Sequence, residues 1–318
     1  MKTLITGGAG FIGSNFCEYV VDKYPGDDFV CLDALTYAGN INYLKNCLDK
    51  ENFKFVRGNI CDKNLVEKLF EEEKFDTIIN FAAESHVENS IVDSTMFIES
   101  NIRGVQVLLE VARKYNVKRF HQISTDEVYG DLDYDDKSAF NEASLLRPSN
   151  PYSASKASAD LLVLSYHRTY NLNVSISRSS NNYGLNQHHE KLIPKIVKLA
   201  LENNKVPVHG NGFNTRDWLY VKDYCKAIDL IVRYGKNGEI YNVSAHNEIR
   251  NLDMIKLILK KLNKDESLLE FVQDRPGNDK RYPLDTTKFD NEFEDFVKSD
   301  FDNAINETID FYIRKSAE

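Results

Sequence analysis

Residues 3–13, TLITGGAGFIG, decide the fold of this chain. The first of them are apolar or β-branched and favour a strand, whereas the residues after Gly10 favour a helix. Gly7, Gly10 and Gly13 are spaced as G-x-x-G-x-x-G, and Gly8 makes the stretch fit G-x-G-x-x-G as well. Such glycines permit a sharp turn, a close approach of the backbone to a pyrophosphate, and tight packing of helix on strand. Because the helix N-terminus then directs N–H groups at phosphates, the stretch predicts a dinucleotide-binding turn.

An acidic residue follows the glycines at the spacing that a dinucleotide site requires. Asp33 lies 20 residues after Gly13, at the end of the second predicted strand. A carboxylate in this place accepts hydrogen bonds from the adenosine ribose and repels a 2′-phosphate. The alternative is that Asp33 only ends a strand. With the glycines in place we expect the ribose contact, and therefore NAD rather than NADP.

Strand-like and helix-like stretches alternate through the first 180 residues. The predicted strands are residues 2–6, 29–33, 53–57, 77–81, 119–124 and 173–178. The predicted helices are residues 11–24, 41–48, 65–73, 97–115 and 152–170. This alternation predicts βαβ crossovers, and hence an α/β fold with a doubly wound, Rossmann-type parallel sheet.

The pattern becomes shorter and less regular after about residue 180. We predict helices near 192–203, 252–262 and 302–314, and strands near 206–209 and 239–243. These pieces indicate a smaller mixed α/β C-terminal lobe that binds substrate. The predicted organisation is an NAD-binding domain over residues 1–180, also taking in about 216–243, with the remainder of 181–318 as the second lobe.

The composition excludes several classes of protein. With 318 residues, of which 42% are hydrophobic and 28% charged, the chain can bury a core without disulfides or metal. A net charge of −9 argues against nucleic acid as a partner, although a locally positive pocket can still bind an anionic ligand. No apolar run is long enough to span a membrane. The five cysteines form no C-x-x-C pair, which indicates free thiols in the cytoplasm; they are Cys17, Cys31, Cys47, Cys61 and Cys225.

A tyrosine and a lysine form the predicted catalytic pair. Residues 152–156, YSASK, place Tyr152 and Lys156 on one face of a helix at i and i+4. A lysine ammonium beside a tyrosine lowers the pKa of the phenol toward a useful range. Residues 124–130, STDEVYG, follow a predicted strand, at the sheet edge where such folds carry their ligand crevice. The Thr125 hydroxyl is placed to hydrogen-bond the substrate oxygen that Tyr152 deprotonates.

Motifs along nearly the whole chain carry a family resemblance. They are TGGAGFIGSN from residue 6, DALTYAGN from 33, FAAESHV from 81, STDEVYG from 124, YSASKA from 152, SNNYG from 180, EKLIP from 190, RDWLYV from 216 and DRPGNDKRY from 274. The chain resembles the extended short-chain dehydrogenase/reductase superfamily and, within it, the dTDP-glucose 4,6-dehydratases. The adjacent Asp126 and Glu127 discriminate, because a sugar epimerase of the superfamily has no use for a second acid–base pair in this loop.

The resemblance implies a reaction in three stages, catalysed by a hydro-lyase of deoxysugar biosynthesis. Tyr152 takes the proton of the C4 hydroxyl while NAD accepts the C4 hydride. Glu127 then removes the C5 proton as a base, and protonated Asp126 assists loss of the C6 hydroxyl as water. Finally the hydride returns to C6. The two carboxyl groups therefore require different environments, one protonated and one ionised.

The resemblance also assigns residues to the cofactor and the substrate. Those implied around NAD are Gly7, Gly10, Phe11, Ile12, Gly13, Asp33, Ala34, Leu35, Thr36, Asn59, Ile60, Phe81, Ala82, Ala83, Glu84, Ser100, Tyr152, Lys156 and Asn182. Those implied around the sugar nucleotide are Ser85, Thr125, Asn181, Lys191, Leu192, Pro207, Val208, His209, Arg216, Asn251 and Arg275. The arginines suit this place because a guanidinium matches phosphate oxygens bidentately. The helices at 97–115 and 152–170 are implied to form a four-helix homodimer interface.

One loop departs from the family pattern. Residues 185–189, LNQHH, stand where the family has Pro-Tyr and then an aromatic residue and proline before EKLIP. The adjacent His188 and His189 are not expected to bind a metal, since neighbouring residues rarely ligate one ion and no other ligand has suitable spacing.

Alternative functions remain open from the sequence. The nearest is the same dehydration of UDP-glucose, followed by a nucleotide-sugar 4-epimerase. A non-catalytic dinucleotide-binding scaffold is the alternative from another class. The Thr125, Tyr152 and Lys156 set and the acidic pair argue against a scaffold, which has no physical need for them.

Overall fold

The structure is a computed structural model that describes residues 1–274 and 277–316. Its strands are β1 (Lys2–Thr6), β2 (Asp28–Asp33), β3 (Phe53–Arg57), β4 (Thr77–Asn80), β5 (Arg119–Thr125), β6 (Val174–Ser179), β7 (Asn181–Tyr183), β8 (Val206–His209), β9 (Thr215–Tyr220), β10 (Glu239–Val243), β11 (Glu248–Arg250) and β12 (Leu269–Val272). Its α-helices are α1 (Phe11–Lys23), α2 (Lys45–Leu48), α3 (Lys63–Glu73), α4 (Val87–Val92), α5 (Thr95–Ile98), α6 (Val105–Lys114), α7 (Pro151–Tyr170), α8 (Leu192–Leu201), α9 (Val221–Tyr234), α10 (Asn251–Lys261), α11 (Thr287–Glu292) and α12 (Phe301–Ser316).

A parallel sheet of seven strands forms the centre, in the order β10-β6-β5-β4-β1-β2-β3. Every neighbouring pair in it is parallel. The strand order reverses direction beside β1, which is the arrangement that opens a ligand crevice at the carboxyl ends of the strands. The doubly wound parallel α/β fold predicted from the sequence is therefore confirmed.

Both faces of this sheet are buried, and the sequence of β1 shows why. Successive side chains of a strand point to opposite faces, so Leu4 belongs to one hydrophobic core and Ile5 to the other. Ile5 packs with Phe16 of α1 and Ile228 of α9, whereas Leu4 packs in the core that α3, α6 and α7 cover. Continuous apolar runs are typical of strands buried in this way.

The elements predicted in the first 180 residues are all present, with ends within two residues of the expected ones. The helix predicted at 97–115 consists of α5, a π-helical turn at Glu99–Gly104, and α6. The helix predicted at 41–48 is a 3₁₀ turn, Ile41–Leu44, followed by α2.

The helix α9 was not among the predicted helices; it carries the chain back to the sheet edge at β10 and packs against α1. Two acidic residues lie on its buried side, among apolar residues that recur at helical spacing. Asp229 accepts hydrogen bonds from Lys23 and Arg233, and Asp223 accepts two from Ser299. Their charges have tertiary partners, so burying them is tolerated.

The remaining strands form two small sheets beside the carboxyl ends of the large one. One has the order β11-β9-β7, and the other pairs β12 with β8. The helices α8, α10 and α12 pack together around them. Within residues 1–274 and 277–316, no helix is both long and apolar enough to cross a bilayer.

Candidate active site

A cavity of about 820 Å³ opens at the carboxyl ends of the central strands. Residues that end or follow these strands line it, including Gly7 after β1, Asp33 of β2, Phe81 after β4 and Thr125 of β5. Its other wall comes from the segments around β7, β8 and β9. Cavities of several hundred Å³ suit organic ligands of cofactor size.

The cavity collects most of the residues that the sequence singled out. All five predicted catalytic residues line it, and so do all but three of the predicted cofactor and substrate residues. Leu35 does not line it, and its side chain packs against the core. Val208 is also absent from the wall, because side chains alternate along β8 and Val208 points into the core between Pro207 and His209. Arg275 lies outside the described residues.

The glycine turn forms a cradle that only glycine permits. Gly7 has a positive φ of 71°, and a Cβ added to it would lie 2.4 Å from the backbone nitrogen of Ala82. A Cβ on Gly13 would lie 2.3 Å from the carbonyl oxygen of Gly7. Gly10 is the N-cap residue of α1 and has no side chain to cap the helix, whose first residues Phe11 and Ile12 line the cavity. This arrangement fits a pyrophosphate, which the helix N-terminus attracts.

Asp33 is held in place by backbone N–H groups. Its Oδ2 accepts a hydrogen bond from the N–H of Ala9 at 2.9 Å, and its Oδ1 accepts one from the N–H of Leu35 at 2.7 Å. Burial raises the pKa of Asp33, and the two hydrogen bonds oppose that rise. Each carboxylate oxygen retains acceptor capacity, so the fixed carboxyl group fits the ribose hydroxyls of NAD.

The acidic pair lies in a 3₁₀ turn directly after β5, Asp126–Tyr129. The Thr125 hydroxyl accepts a hydrogen bond from the N–H of Glu127 and donates one to Asp126 Oδ1 at 3.1 Å. Asp126 is only 2% exposed. Burial, together with the negative charge of Glu127, raises the pKa of Asp126 well above its usual range. The raised pKa favours the protonated form of Asp126, whereas Glu127 is half-buried on the cavity wall.

The helix α7 positions Tyr152 and Lys156. It begins with a capping box formed by Asn150 and Ser153, which fixes where the first turn starts. The Lys156 ammonium donates a hydrogen bond to the carbonyl oxygen of Ile123 in β5 at 2.6 Å. Burial lowers the pKa of Lys156 to about 8.

The expected lowering of the Tyr152 pKa is not observed. Burial and the nearby Glu127 and Asp126 raise the pKa of Tyr152 well above its usual value, and a hydrogen bond with Thr125 opposes the rise only in part. The Lys156 ammonium is held by β5 rather than by the phenol. The expectation was wrong because spacing along a helix does not reveal the charges that other elements bring.

On the opposite wall, Arg216 is held as a rigid donor. It is 7% exposed, its Nη1 donates a hydrogen bond to the Thr215 carbonyl at 2.9 Å, and its guanidinium lies over the Tyr282 ring at 4.6 Å. Lys191 and His209 also line this part of the cavity. A guanidinium fixed in this way suits a diphosphate.

Several wall residues were not assigned from the sequence. They are Tyr37, His86, Glu190, Trp218 and Tyr282. All five lie inside motifs that carried the family resemblance, so these motifs were the available signal. The motifs do not show which of their side chains face the cavity. Within the described part of the chain, no cluster of three or more His, Cys, Asp or Glu side chains has the arrangement of a metal site.

Comparison with known proteins gives one consistent family. The family model described as GDP-mannose 4,6 dehydratase matches residues 4–308. The low-salt glycan biosynthesis protein Agl12 of Haloferax volcanii is 49% identical over 91% of both chains. The dTDP-glucose 4,6-dehydratase of Salmonella typhimurium is 42% identical over 98% of this chain and 93% of that one.

Solved structures agree with the sequence comparison. The dTDP-glucose 4,6-dehydratase of Bacillus anthracis, in complex with NAD, is similar with a TM-score of 0.93 and 42% identity. The match covers 100% of this chain and 98% of that one. The similarity therefore includes the second lobe as well as the central sheet.

Proposed function

This chain belongs to the GDP-mannose 4,6 dehydratase family of extended short-chain dehydrogenases/reductases, and we propose that it converts dTDP-glucose to dTDP-4-keto-6-deoxyglucose with NAD as cofactor. The observation that carries the proposal is the environment of the acidic pair. Asp126 is buried and its pKa is raised, which favours the protonated form, and Glu127 beside it lines the same cavity. Elimination of water requires one acid and one base near neighbouring carbon atoms, and this pair provides both. The relatives named as dTDP-glucose 4,6-dehydratases support the choice of substrate.

The side chains divide the proton transfers among them. Tyr152, as the phenolate, accepts the proton of the C4 hydroxyl, and the Thr125 hydroxyl orients the same oxygen. Burial and the neighbouring carboxyl groups oppose the phenolate, so the positive charge that NAD would bring when bound is needed to favour it. Glu127 removes the C5 proton, and Asp126 gives its proton to the departing C6 hydroxyl. Lys156, on the same face of α7 as Tyr152, would hydrogen-bond the nicotinamide ribose of bound NAD. When bound, NAD would supply the redox chemistry by accepting a hydride from C4 and returning it to C6, so that the cofactor is not consumed.

The assignment of ligands to the two parts of the chain follows from the same proposal. We assign NAD to residues 1–180 together with about 216–243, and the nucleotide sugar to the remainder of 181–318. The position of β10 in the central sheet supports adding the second range to the first. Lys191 of the second part lines the cavity wall, and so does the buried Arg216 at the start of the added range, which supports binding of the diphosphate where the two parts meet.

The first test is formation of product by the purified protein. Incubation with dTDP-glucose is expected to give a 4-keto-6-deoxy sugar, detected by its alkali-induced absorbance. A parallel reaction with UDP-glucose measures the preference for thymidine over uridine in the substrate, and we expect the larger kcat/KM with dTDP-glucose. Absence of the keto sugar with both substrates would contradict the proposed reaction, and formation of the C4 epimer instead would identify an epimerase.

We also propose a homodimer formed through four helices. Met96 and Ile98 of α5 and Leu161 of α7 are apolar and between 49% and 59% exposed, and α5 packs directly against α7. A second copy related by a two-fold axis would cover this surface with its own equivalent residues, as isologous dimers do. The apolar area then leaves water on both subunits, which stabilises the dimer.

Leu161→Glu is expected to convert the dimer to a monomer, because two buried carboxylates would face each other across the two-fold axis. Sedimentation velocity measures the change. Phe271→Glu is the matched control, since Phe271 is equally exposed, at 60%, and lies on β12 in the small sheet with β8. A dimer that persists in Leu161→Glu would place the interface elsewhere.

The cytoplasm is the compartment we propose for this protein. All five cysteines are free thiols. Thiols persist in reducing compartments and are oxidised in secretory ones.

A further inference from the structure

The loop at residues 185–189, which departs from the family pattern, is anchored beside the glycine cradle. Asn15 of α1 donates a hydrogen bond from Nδ2 to the Leu185 carbonyl at 2.9 Å. On the other side, the Tyr312 hydroxyl of α12 donates to the carbonyl of Gln187 at 3.0 Å. The loop is thus fastened to the helix whose N-terminus forms the cradle, and it cannot move independently of that helix without breaking these bonds.

The far end of this loop contacts the opposite side of the cavity. The ring of His188 meets the ring of Tyr37 edge-on, with centroids 5.6 Å apart and an interplanar angle of 74°. Tyr37 lies four residues after Asp33 in the segment that begins at the end of β2. Both rings line the cavity, and the contact therefore connects its two sides. Burial lowers the pKa of His188, so the ring is neutral at pH 7 and packs as an aromatic group.

A glutamate and a second histidine support His188 from behind. Glu190 Oε2 lies 3.3 Å from His188 Nδ1 and 3.3 Å from His86 Nε2. His86 Nδ1 accepts the backbone N–H of Asn89 at the start of α4, which leaves its proton on Nε2, facing Glu190. Tyr37 is supported in turn, because its hydroxyl lies 3.4 Å from Ser85 Oγ. Both rings are therefore positioned by neighbours on separate elements.

We propose that Tyr37 and His188 form a latch that holds NAD in the cavity. Tyr37 lies in the segment that begins at Asp33, whose carboxylate fits the adenosine ribose. His188 lies in the loop that is hydrogen-bonded to α1, and the N-terminus of α1 fits the pyrophosphate. A dinucleotide bound between them cannot leave until the two rings separate. The inference rests on the proposed function in one respect. In that reaction NAD is regenerated in each turnover and need not leave the enzyme, whereas the nucleotide sugar must exchange every time.

The release rate of the cofactor tests the latch without any sugar. The protein is loaded with NADH, an excess of NAD is added, and the loss of bound NADH fluorescence is followed. An edge-to-face aromatic contact of this kind corresponds to about a 2- to 12-fold change in rate, so His188→Ala and Tyr37→Ala are each expected to release NADH faster by that factor. The double variant is expected to be no faster than either single one, because both remove the same contact.

Two further variants separate the latch from general damage to the fold. His188→Phe keeps an aromatic ring and is expected to release NADH at nearly the parent rate. Tyr134→Ala, at a tyrosine of similar exposure to Tyr37, is the matched control and is expected to change nothing. Release at the parent rate in His188→Ala, or a double-variant effect equal to the product of the single ones, would overturn the latch. Because the assay contains no sugar, slow release in a protein that forms no keto sugar would retain the latch while the proposed reaction fails.

Discussion

Asp126→Asn is expected to lower turnover by about 10²- to 10⁴-fold, the range that removal of a general acid produces. Burial and the charge of Glu127 raise the pKa of this carboxyl group, which favours the protonated form that an acid needs. Asparagine has nearly the same shape and can keep the hydrogen bond that Thr125 donates to Oδ1. It has no acidic proton to give to the C6 hydroxyl. Oxidation at C4, which depends on Tyr152, is expected to continue.

The variant should therefore stop with the cofactor reduced. Rapid mixing with dTDP-glucose is expected to give an absorbance of reduced nicotinamide that persists, whereas the parent protein shows little of it at steady state. Tyr152→Phe is the matched control, because it removes the base for the first step and should produce no reduced cofactor. Normal turnover in Asp126→Asn would mean that another group protonates the leaving hydroxyl.

Asp160→Ala is expected to destabilise the fold by about 3–5 kcal/mol, because it leaves a buried guanidinium without its partner. Asp160 Oδ2 accepts hydrogen bonds from Arg178 Nε at 2.9 Å and from Ser124 Oγ at 3.0 Å. Both members of the ion pair are almost completely buried, at 0% and 2% exposure. Arg178 also donates to the Tyr129 hydroxyl, which donates to Asn242 of β10. The pair thus joins α7 to three strands beneath the acidic pair.

Urea unfolding measures this loss of stability. An exposed ion pair provides the matched control: Asp22→Ala removes the partner of Lys50, the two side chains being 61% and 49% exposed, and is expected to cost about 0–1 kcal/mol. Replacing both buried charges, as Asp160→Leu with Arg178→Met, is expected to recover part of the stability, since no charge is then left unpaired. Equal losses in Asp160→Ala and Asp22→Ala would contradict the assigned importance of the pair.

The parts of the molecule that were predictable are those in which sequence neighbours are also spatial neighbours. The glycines at 7, 10 and 13 must lie at one turn because only a few residues separate them, and Tyr152 and Lys156 must share a helix face because they are four residues apart. Apolar runs such as Thr77–Asn80 predicted buried parallel strands for the same reason. These local features were sufficient for the fold, the cofactor class and the pairing of Tyr152 with Lys156, whereas Asp126 and Glu127 were proposed from the family resemblance.

The helix α9 was missed although its sequence carries a helical pattern. Its buried apolar side chains recur at helical spacing, as in Val221, Tyr224, Ile228 and Ile231. The sequence could not show that Asp223 and Asp229 also face inward, because their partners come from α1 and from the segment before α12. The same limitation applies to Val208, whose place on the core side of β8 depends on how that strand packs.

The sequence by itself therefore determined the doubly wound sheet and the dinucleotide turn, because spacing along the chain fixes both, whereas the family resemblance supplied the proposed acid–base residues. Only the tertiary structure decided which of two adjacent carboxyl groups is buried and has the raised pKa, since the burial of Asp126 depends on how separate segments pack. It also reversed the expected shift of Tyr152 and brought His188 against Tyr37 across the cavity. Burial and charge act through space, and residues far apart in the chain supply both.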